Sequence, residues 1–538
     1  MPAPEPWEFS SAPLHADACR VLAFTGTEAV GEGYVFDILL AASKTGPKQA
    51  RALHEALMRA PMITLTGRAK SGKLFSWNGI AGKISYIFPT EAGAIYKVTL
   101  RPRSWRLHNA VHSRIFLSLP LPQLLNKLLA EEGLSAGTDF ADEMKERYTA
   151  RPFTCQYNES SFAFLSRMQE RAGAYTYIRQ TDNGDTLVLA DSKSTPDSLA
   201  PHDALDRRDG TEPETVFAFA RTLSDGPNKV TLRDYSSEDP GLTVGKAQGS
   251  GGNPWGHGEC AFYGGFGIFD EINCYSKEFS RGDAKAAADR LASVHLSALA
   301  CAAEQAEGRS TVPWLRAGCT FGLGTERYLI VRVRHRCVMP ADSLEGRIVE
   351  RALQGGFFSG STASGYGNGF VCRPLDAGPY VPEKRTPRPV VAGIIHAGID
   401  AAGSGDYAEL DKHGRYKVKF PFAEKVFYAD TDKPGDGNNS VPLRLMQTHA
   451  GTGSGIHFPL LKGVEVLTAF IEGDPDRPVI LGCLPNASMA GPVVDVTAQT
   501  NVIRAPAGHG MTLIDTKGQE ELRLESADKK TRISLFLS

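Results

Sequence analysis

The chain has 538 residues, enough for several domains, and 42% hydrophobic with 22% charged residues is ordinary for globular protein and argues against disorder. Its 59 Lys and Arg against 61 Asp and Glu give a formal net charge of −2, which excludes a chain-wide basic footprint for nucleic acid. The first residues show no signal-peptide pattern, and no run reaches the ~18 apolar residues of a membrane helix. We therefore expect a chain that begins in the cytoplasm, with no nucleic-acid partner and no stable membrane insertion.

The cysteines are scattered and form no CxxC pair. An odd number without paired spacing favours reduced, small core residues over a disulfide or zinc framework. The nine positions are Cys19, Cys155, Cys260, Cys274, Cys301, Cys319, Cys337, Cys372 and Cys483.

The first hundred residues alternate between strand patterns and one helix. Residues 20–40 predict two strands, and the next segment places Leu53, Leu57 and Ala60 on one helical face. Further strands are predicted at residues 62–65, 79–80, 83–88 and 95–100. This block is typical of an antiparallel barrel with one helix.

Two helices follow, each with a recognisable start and stop. Pro120 or Pro122 suits a first turn, and Gly133 suits the end of that helix. Asn158 or Ser160 can cap the second helix, which Gly173 ends before strands at 174–179 and 186–190. The apolar stripe of the first helix is formed by Leu124, Leu125, Leu128 and Leu129, and that of the second by Phe164, Leu165 and Met168.

The middle of the chain mixes one long helix with irregular composition. Residues 282–303 predict an alanine-rich helix opened by Asp283, and strands return between Trp314 and Val338. Residues 355–370 are glycine- and serine-rich and predict a flexible segment. The proline-rich residues 373–389 predict a stiff linker.

Residues 392–481 carry the densest strand and turn signals. Strands are predicted at 392–395, 414–420, 443–445, 464–469 and 479–481, and the turn formers of residues 473–478 join the last two as a hairpin. About five short strands in roughly a hundred residues suit an OB-type barrel.

The end of the chain has strands with one apolar face. Leu513, Leu522, Leu524, Ile533 and Leu535 alternate with polar residues, and turns are predicted at Lys517-Gly518 and Ala527-Asp528. Because so few strands cannot bury such a face alone, we expect partners from other chains, as an intertwined three-chain β-prism.

Several motifs resemble one family. The segment HGRYKVKFPF and the run that joins EVLTAF to GDPDRP resemble the OB-fold module of VgrG, the spike protein of type VI secretion systems, and of contractile-phage tail spikes. Six further segments resemble the hub portion of that family. They are RPRSWRL at 101–107, SRIF at 113–116, QYNES at 156–160, FLSRM at 164–168, GAYTY at 173–177 and TLVLADS at 186–192. The chain departs from the family pattern in two places. Residues 245–267 are glycine-rich, so the loop structure there is not predicted, and residues 445–449 read LMQTH.

The resemblance implies a mainly β fold with α+β insertions. It implies phage-hub-like β-barrel domains over residues 15–380, as two barrel-like units around a helical insertion at about 111–215. An OB-fold barrel is expected over 388–487, and residues 495–538 are expected to start a trimeric β-prism or β-helix needle.

The resemblance also implies a structural function. We expect a homotrimeric spike that caps a hexameric, Hcp-like inner tube, contacts baseplate proteins, carries a PAAR-type tip protein or effector, and punctures the target envelope. It would assemble in the bacterial cytoplasm and be translocated on firing. The hub-spike of a contractile phage or prophage tail is the first alternative, and a cell-wall-binding or cell-wall-degrading OB-fold protein is the alternative of a different class.

Sequence motifs that could indicate catalysis, phosphate binding or metal binding are weak in this chain. Residues 451–455 are glycine-rich but lack the ending of a phosphate loop, no Gly-x-Ser-x-Gly elbow occurs, and HEALM at 54–58 has Met58 where a zincin has its second histidine. Asp430, Asp432 and Asp436 predict solvated turn carboxylates rather than a calcium loop, and His396, His449 and His457 predict ordinary histidines. We expect no catalytic, cofactor or metal site, no cofactor and no enzymatic activity.

Overall fold

The computed structural model describes residues 7–11, 19–43, 47–90, 93–182, 184–208, 213–235, 245–248, 256–263, 281–339, 343–354, 356, 365–429, 435 and 437–536. The fold is mainly β, with mostly antiparallel sheets, as the sequence predicted. Two compact units divide the chain: the first unit is Met1–His112, Ser118–Pro152 and Asn158–Pro389, and the second unit is Ser113–Leu117, Phe153–Tyr157 and Val390–Ser538.

One large sheet dominates the first unit. Its strand order is β1-β4-β5-β6-β3-β2-β20-β21-β18-β14, with β12, β13 and β19 joined to β20. Its early strands are β1 (Trp7–Ser11), β2 (Cys19–Ala29), β3 (Gly33–Ser43), β4 (Ile63–Arg68), β5 (Leu74–Thr90) and β6 (Gly93–Arg101). Its later strands are β12 (Asp197–Ser198), β13 (Ala204–Leu205), β14 (Val216–Leu223), β18 (Glu304–Ser310), β19 (Cys319–Leu323), β20 (Glu326–Val338) and β21 (Gly365–Pro374).

Alternation along these strands builds the core of the large sheet. Phe24, Phe36 and Trp77 are fully buried, and Trp7 packs on Phe24 with ring centroids 4.6 Å apart. A buried carboxylate in this core is paired: Glu28 accepts a hydrogen bond from Trp77 Nε1 at 2.8 Å and lies 2.8 Å from His335 Nε2.

The predicted helices of the first unit are confirmed. They are α1 (Pro47–Arg59), α2 (Leu121–Glu131), α3 (Ser161–Ala172) and α4 (Arg281–Ala303). Pro120 is the N-cap of α2, and Ser160 caps α3 by accepting a hydrogen bond from the Ala163 N–H at 3.1 Å. Gly173 ends α3 in the left-handed region at φ 77°, which favours glycine.

Two small sheets accompany these helices. One contains β8 (Phe140–Asp142), β10 (Tyr175–Thr181) and β11 (Gly184–Ala190), in the order β10-β11-β8. In the other, β15 (Lys229–Arg233) pairs with β16 (Gly245–Gln248) and β17 (Glu259–Tyr263), so part of the glycine-rich stretch after residue 244 forms strands. Val230, Leu232 and Leu291 pack the latter sheet against α4.

Two expectations for the middle of the chain need correction. Gly365–Pro374 is a strand paired with β18 and β20, not a flexible segment, while residues 355 and 357–364 lie outside the described residues. A helix not expected from the sequence, α5 (Ser343–Gln354), precedes it. The segment predicted as a stiff linker makes contacts of its own, because Val381 is buried and Glu170 accepts hydrogen bonds from the N–H groups of Arg385 and Thr386.

The second unit begins with two short sheets. One has the order β23-β22-β27-β28 and the other β24-β7-β9. Their strands are β7 (Val111–Leu119), β9 (Arg151–Ser160), β22 (Ile394–Asp400), β23 (Lys417–Lys419), β24 (Lys425–Tyr428), β27 (Glu465–Phe470) and β28 (Pro478–Cys483), and a small hairpin is formed by β25 (Ala450–Gly451) and β26 (Ser454–Gly455). The stretch expected as a helical insertion thus also supplies residues 113–117 and 153–157 to this unit.

The core of the second unit follows the predicted alternation. Tyr416, Val418 and Phe420 point inward with Val466 and Thr468, and all are at most 2% exposed. The predicted hairpin between β27 and β28 is confirmed. The expected strand at residues 443–445 is wrong in detail, because Leu443 and Leu445 form only single bridges, to Tyr416 and Ile480.

The chain's last described strands form a four-stranded antiparallel sheet in the order β29-β30-β31-β32, called here the C-terminal sheet. Its strands are β29 (Thr500–Arg504), β30 (Gly510–Ile514), β31 (Glu521–Glu525) and β32 (Arg532–Phe536). Each strand pairs with its neighbour in sequence. Across the part of the chain that the model describes, no helix is both long and apolar enough to span a membrane.

Candidate assembly site

Motif residues of the first unit form buried or partly buried ion pairs. Arg103, in the RPRSWRL motif, donates from Nε to Asp185 at 3.0 Å and from Nη1 to Asp139 at 2.5 Å. Arg167, in FLSRM, makes a bidentate pair with Glu159 of QYNES, with Nη2 to Oε1 at 2.7 Å and Nε to Oε2 at 2.9 Å. The Arg103 pairs join segments that are far apart in sequence, and the Arg167–Glu159 pair joins α3 to the strand before it, so both have a structural role.

Asp191, in TLVLADS, organises a turn in the same way. Its carboxylate accepts hydrogen bonds from the N–H groups of Lys145 and Glu146, each at 2.7 Å, and from the Tyr148 hydroxyl at 3.0 Å. These donors outweigh partial burial and lower the pKa of Asp191, so the carboxylate is ionised at neutral pH.

The GDPDRP turn of the second unit holds a strand from the middle of the sequence. Asp476 is 5% exposed and accepts a hydrogen bond from the Cys155 N–H at 2.6 Å. Its own N–H donates to the Asp474 carboxylate at 3.0 Å, within a turn where Glu472 has φ 56° and Gly473 has φ 68°. Both aspartates are therefore committed to backbone contacts.

The side chains singled out for possible chemistry do not converge. Residues 451–455 form the β25–β26 hairpin and precede no helix, so the turn interpretation is confirmed. His54 packs against Tyr96, His396 lies 2.6 Å from Glu465 on the surface, and His449 and His457 are exposed. Asp430, Asp432 and Asp436 lie outside the described residues. Within the residues that the model places, no group of three or more His, Cys, Asp or Glu side chains is arranged to hold a metal.

The C-terminal sheet presents a continuous apolar face. Register places the side chains of two cross-strand rows on the same side, because alternate residues of a strand share a face. The rows are Ile503–Met511–Leu524–Ile533 and Asn501–Leu513–Leu522–Leu535. We call these eight residues the apolar face; seven of them are apolar.

Much of this apolar face is open to solvent in the single chain. Leu535 is 62% exposed, Ile533 57% and Ile503 53%. The shared face of Leu513, Leu522, Leu524, Ile533 and Leu535 was predicted from the sequence and is confirmed. Ile503 and Met511 were not predicted, although the pattern in Thr500–Arg504 and the turn residues Pro506 and Gly508 could have indicated one more hairpin.

The opposite face of the C-terminal sheet, called here the polar face, carries the ion pairs of Glu521, and the apolar side chains of Val502, Ile514 and Phe536 also lie on it. Glu521 is 8% exposed and binds Arg523 and Arg532, with Arg532 Nη2 to Oε1 at 2.6 Å. Hydrogen bonds from Arg523, Ser534 and Arg532 lower the pKa of Glu521 to about 2. The apolar face, with seven apolar side chains out of eight, is stable in water only when another layer covers it.

Comparisons with known proteins place this arrangement in context. The phage tail baseplate hub (GPD) family matches residues 27–340. The chain is 28% identical over 524 residues to the type VI secretion system spike protein VgrG5 of Pseudomonas aeruginosa, covering 94% of this chain and 61% of that relative. It is 28% identical over 445 residues to the actin cross-linking toxin VgrG1 of Vibrio cholerae, covering 82% of this chain and 37% of the toxin.

A solved structure shares the fold. The c3393 protein of E. coli, described as a component of the type VI secretion system with structural similarity to the phage T4 tail proteins gp27 and gp5, superimposes with a TM-score of 0.57. The match covers 88% of this chain and 99% of that protein at 20% identity. These matches confirm the resemblance seen in the sequence motifs.

Proposed function

Because the chain belongs to the phage tail baseplate hub (GPD) family, we propose that it is the spike of a bacterial type VI secretion system. Three copies would cap the inner tube, and contraction of the sheath would drive them through the target envelope to deliver effectors. The observation that carries the proposal is the apolar face of the C-terminal sheet, a surface on which identical copies can be joined.

The C-terminal sheet is the start of a three-sided β-prism in this proposal. Three copies around one axis bring three apolar faces together and leave the Glu521 side of each sheet in water. Each fully buried Leu or Ile side chain contributes roughly 1.5–3 kcal/mol, and the threefold axis repeats every contribution three times. The preceding sheets of the second unit, with their short strands, are assigned to an OB-type barrel.

The first unit is assigned to the hub that meets the tube. Two strand groups, β1–β6 and β14 with β18–β21, are taken as two barrel-like units per chain. Three chains would then present a pseudo-sixfold ring to a hexameric tube protein. Baseplate proteins at the hub and a PAAR-type tip protein or effector at the needle complete the proposed partners.

The proposed action is mechanical rather than catalytic. Three carboxylates of the motifs that carry the resemblance, Glu159, Asp191 and Asp476, are engaged with an arginine or with backbone N–H groups. A carboxylate held in this way does not provide the free acid or base that hydrolysis needs. The toxin relative aligns over only 37% of its length, so its named activity is not assigned to this chain.

The hub-spike of a contractile phage tail is the second candidate, because the matching family is described as a phage tail baseplate hub. The two functions share the fold and differ in the particle they serve. In the bacterium that carries the gene, deletion followed by complementation separates them. A type VI spike is required for release of tube protein into the medium and for killing of neighbouring cells, whereas a phage hub is required for infectious or bactericidal tail particles. Loss of neither phenotype would contradict both functions.

A further inference from the structure

A basic groove crosses the outer face of the large sheet in the first unit. It has a volume of about 770 Å³ and lies over β14, β18, β21 and β20. Its lining includes the small residues Ala218, Ala220 and Gly369. The groove belongs to the first unit alone, so what it binds can be argued without the proposed function.

Glycines on β21 keep the groove open. Asn368 and Phe370 of this strand are buried, whereas Gly367 and Gly369 alternate with them and occupy the outward positions. A Cβ atom added at Gly367 would meet only the Ser310 carbonyl oxygen at 3.9 Å, and one at Gly369 only the Gly308 carbonyl oxygen at 3.8 Å. The sheet therefore has room for larger residues there, and glycine in a strand interior often marks close approach of a ligand or another backbone.

Arginines border this bare strand. In register, Gly369 has Arg309 of β18 on one side and Arg334 of β20 on the other. Two strand spacings put their Cα atoms about 10 Å apart. Arg207, Arg309 and Arg334 are exposed and form no ion pair with any residue that the model describes, whereas Arg332 is paired with Glu32 at 2.5 Å.

We propose that this groove binds an acidic polypeptide segment of a partner protein. A Glu or Asp carboxylate placed over Gly369 can accept hydrogen bonds from both Arg309 and Arg334. The planar guanidinium group matches the planar geometry of a carboxylate. Glu307 lies two residues before Arg309 on the same face of β18 and is the one acidic side chain among the described residues that line the groove. It would pair with a basic residue further along the segment.

The lining fits a polypeptide better than a nucleic acid. Glu307 repels a phosphate backbone, and the aromatic rings at the groove pack inward rather than outward. Phe219 lies 5.0 Å from Tyr328 and Phe370 lies 5.7 Å from Phe321 between ring centroids, so neither is a platform for stacked bases.

The test uses the full chain and a fluorescein-labelled peptide of alternating glutamate and serine, with a glutamine–serine peptide as the neutral probe. Fluorescence anisotropy should show binding of the acidic peptide that weakens as salt increases. The double variant Arg309→Gln/Arg334→Gln should bind at least about tenfold more weakly, the loss expected when two charge-assisted contacts are removed. The matched control Arg68→Gln/Arg106→Gln removes the same charge from exposed positions outside the groove and should bind as the wild type does.

The variant Gly369→Thr tests whether binding depends on the open groove itself, because it fills the groove without changing the net charge. It adds a side chain where the sheet has room and should keep the melting temperature of the wild type while it reduces peptide binding. Equal binding of both peptides, or unchanged binding in both the arginine and glycine variants, would overturn the proposal. Tighter binding of a single-stranded oligonucleotide than of the acidic peptide would overturn it in favour of a nucleic-acid groove.

Discussion

Asp476 shows how one turn residue joins distant parts of the sequence. Its carboxylate accepts a hydrogen bond from the Cys155 N–H, more than three hundred positions earlier, in a place where both residues are buried. A buried N–H without an acceptor costs the full desolvation of that group. This aspartate thus contributes to the second unit in addition to its apolar core.

We expect Asp476→Ala to destabilise the chain by about 1–3 kcal/mol, because the Cys155 N–H loses its acceptor in a dry site. Asp476→Asn retains an acceptor oxygen and serves as the control, with a smaller loss. Urea unfolding monitored by circular dichroism measures both variants. An alanine variant as stable as the wild type would show that water or another group replaces the carboxylate.

Glu521 gives the C-terminal sheet a defined acid sensitivity. Its pKa in the folded chain is about 2, below the unfolded value of about 4.3, so its pairing with Arg523 and Arg532 stabilises the sheet above the unfolded pKa. That stabilisation is lost as the pH falls from about 4 through 2, because the unfolded chain binds the proton first.

Pepsin, which is active in acid, can report this loss. We expect the wild-type C-terminal sheet to become more susceptible to pepsin between about pH 4 and pH 2, while Glu521→Gln is already susceptible at pH 4 and changes less over the same interval. Glu525→Gln, on the same polar face, is the matched control and should follow the wild type. Parallel pH profiles of the wild type and Glu521→Gln would contradict the assignment.

At the scale of elements, the C-terminal sheet is the part whose apolar face the chain leaves uncovered. Cross-strand register assembles the rows through Leu522 and Leu524, while Arg523 between them is committed to the polar face. The two faces cannot be exchanged without breaking the Glu521 pairs, which fixes the side that needs a partner.

The double variant Leu522→Asp/Leu524→Asp should abolish assembly through this sheet. Six carboxylates would meet near the axis of a trimer, where unpaired charge is costly. We expect a monomer whose C-terminal sheet is cut by trypsin, with residues 390–485 still folded. Thr512→Asp, on the polar face, is the control and should remain assembled. A protease-resistant trimer of the double variant would show that these leucines face outward.

Sequence patterns predicted elements well where local rules suffice. Capping at Ser160, the stop at Gly173 and the alternation of Tyr416, Val418 and Phe420 all depend on neighbours in sequence. The strand Gly365–Pro374 was missed because its alternate glycines imitate a flexible segment, and only pairing with β18 and β20 reveals it. That residues 153–157 belong to the second unit could not be predicted from local sequence either, because it depends on long-range contacts such as the one between Cys155 and Asp476.

At the scale of the whole molecule, the chain combines residues of the hub family with a C-terminal sheet whose apolar face is largely open to solvent. Within the matched residues 27–340, the carboxylates of Glu159 and Asp185 are held in pairs with Arg167 and Arg103. The apolar face supports the proposed mechanical role only if three chains associate and cover it. Stoichiometry is therefore the property on which the proposed spike depends.

Native mass spectrometry of the purified full chain tests this directly. We predict a dominant species at three times the chain mass of 58.0 kDa, which dissociates when Leu522 and Leu524 are replaced by aspartate. A wild-type chain that stays at 58.0 kDa across micromolar concentrations, with its C-terminal sheet resistant to protease, would contradict the trimeric spike.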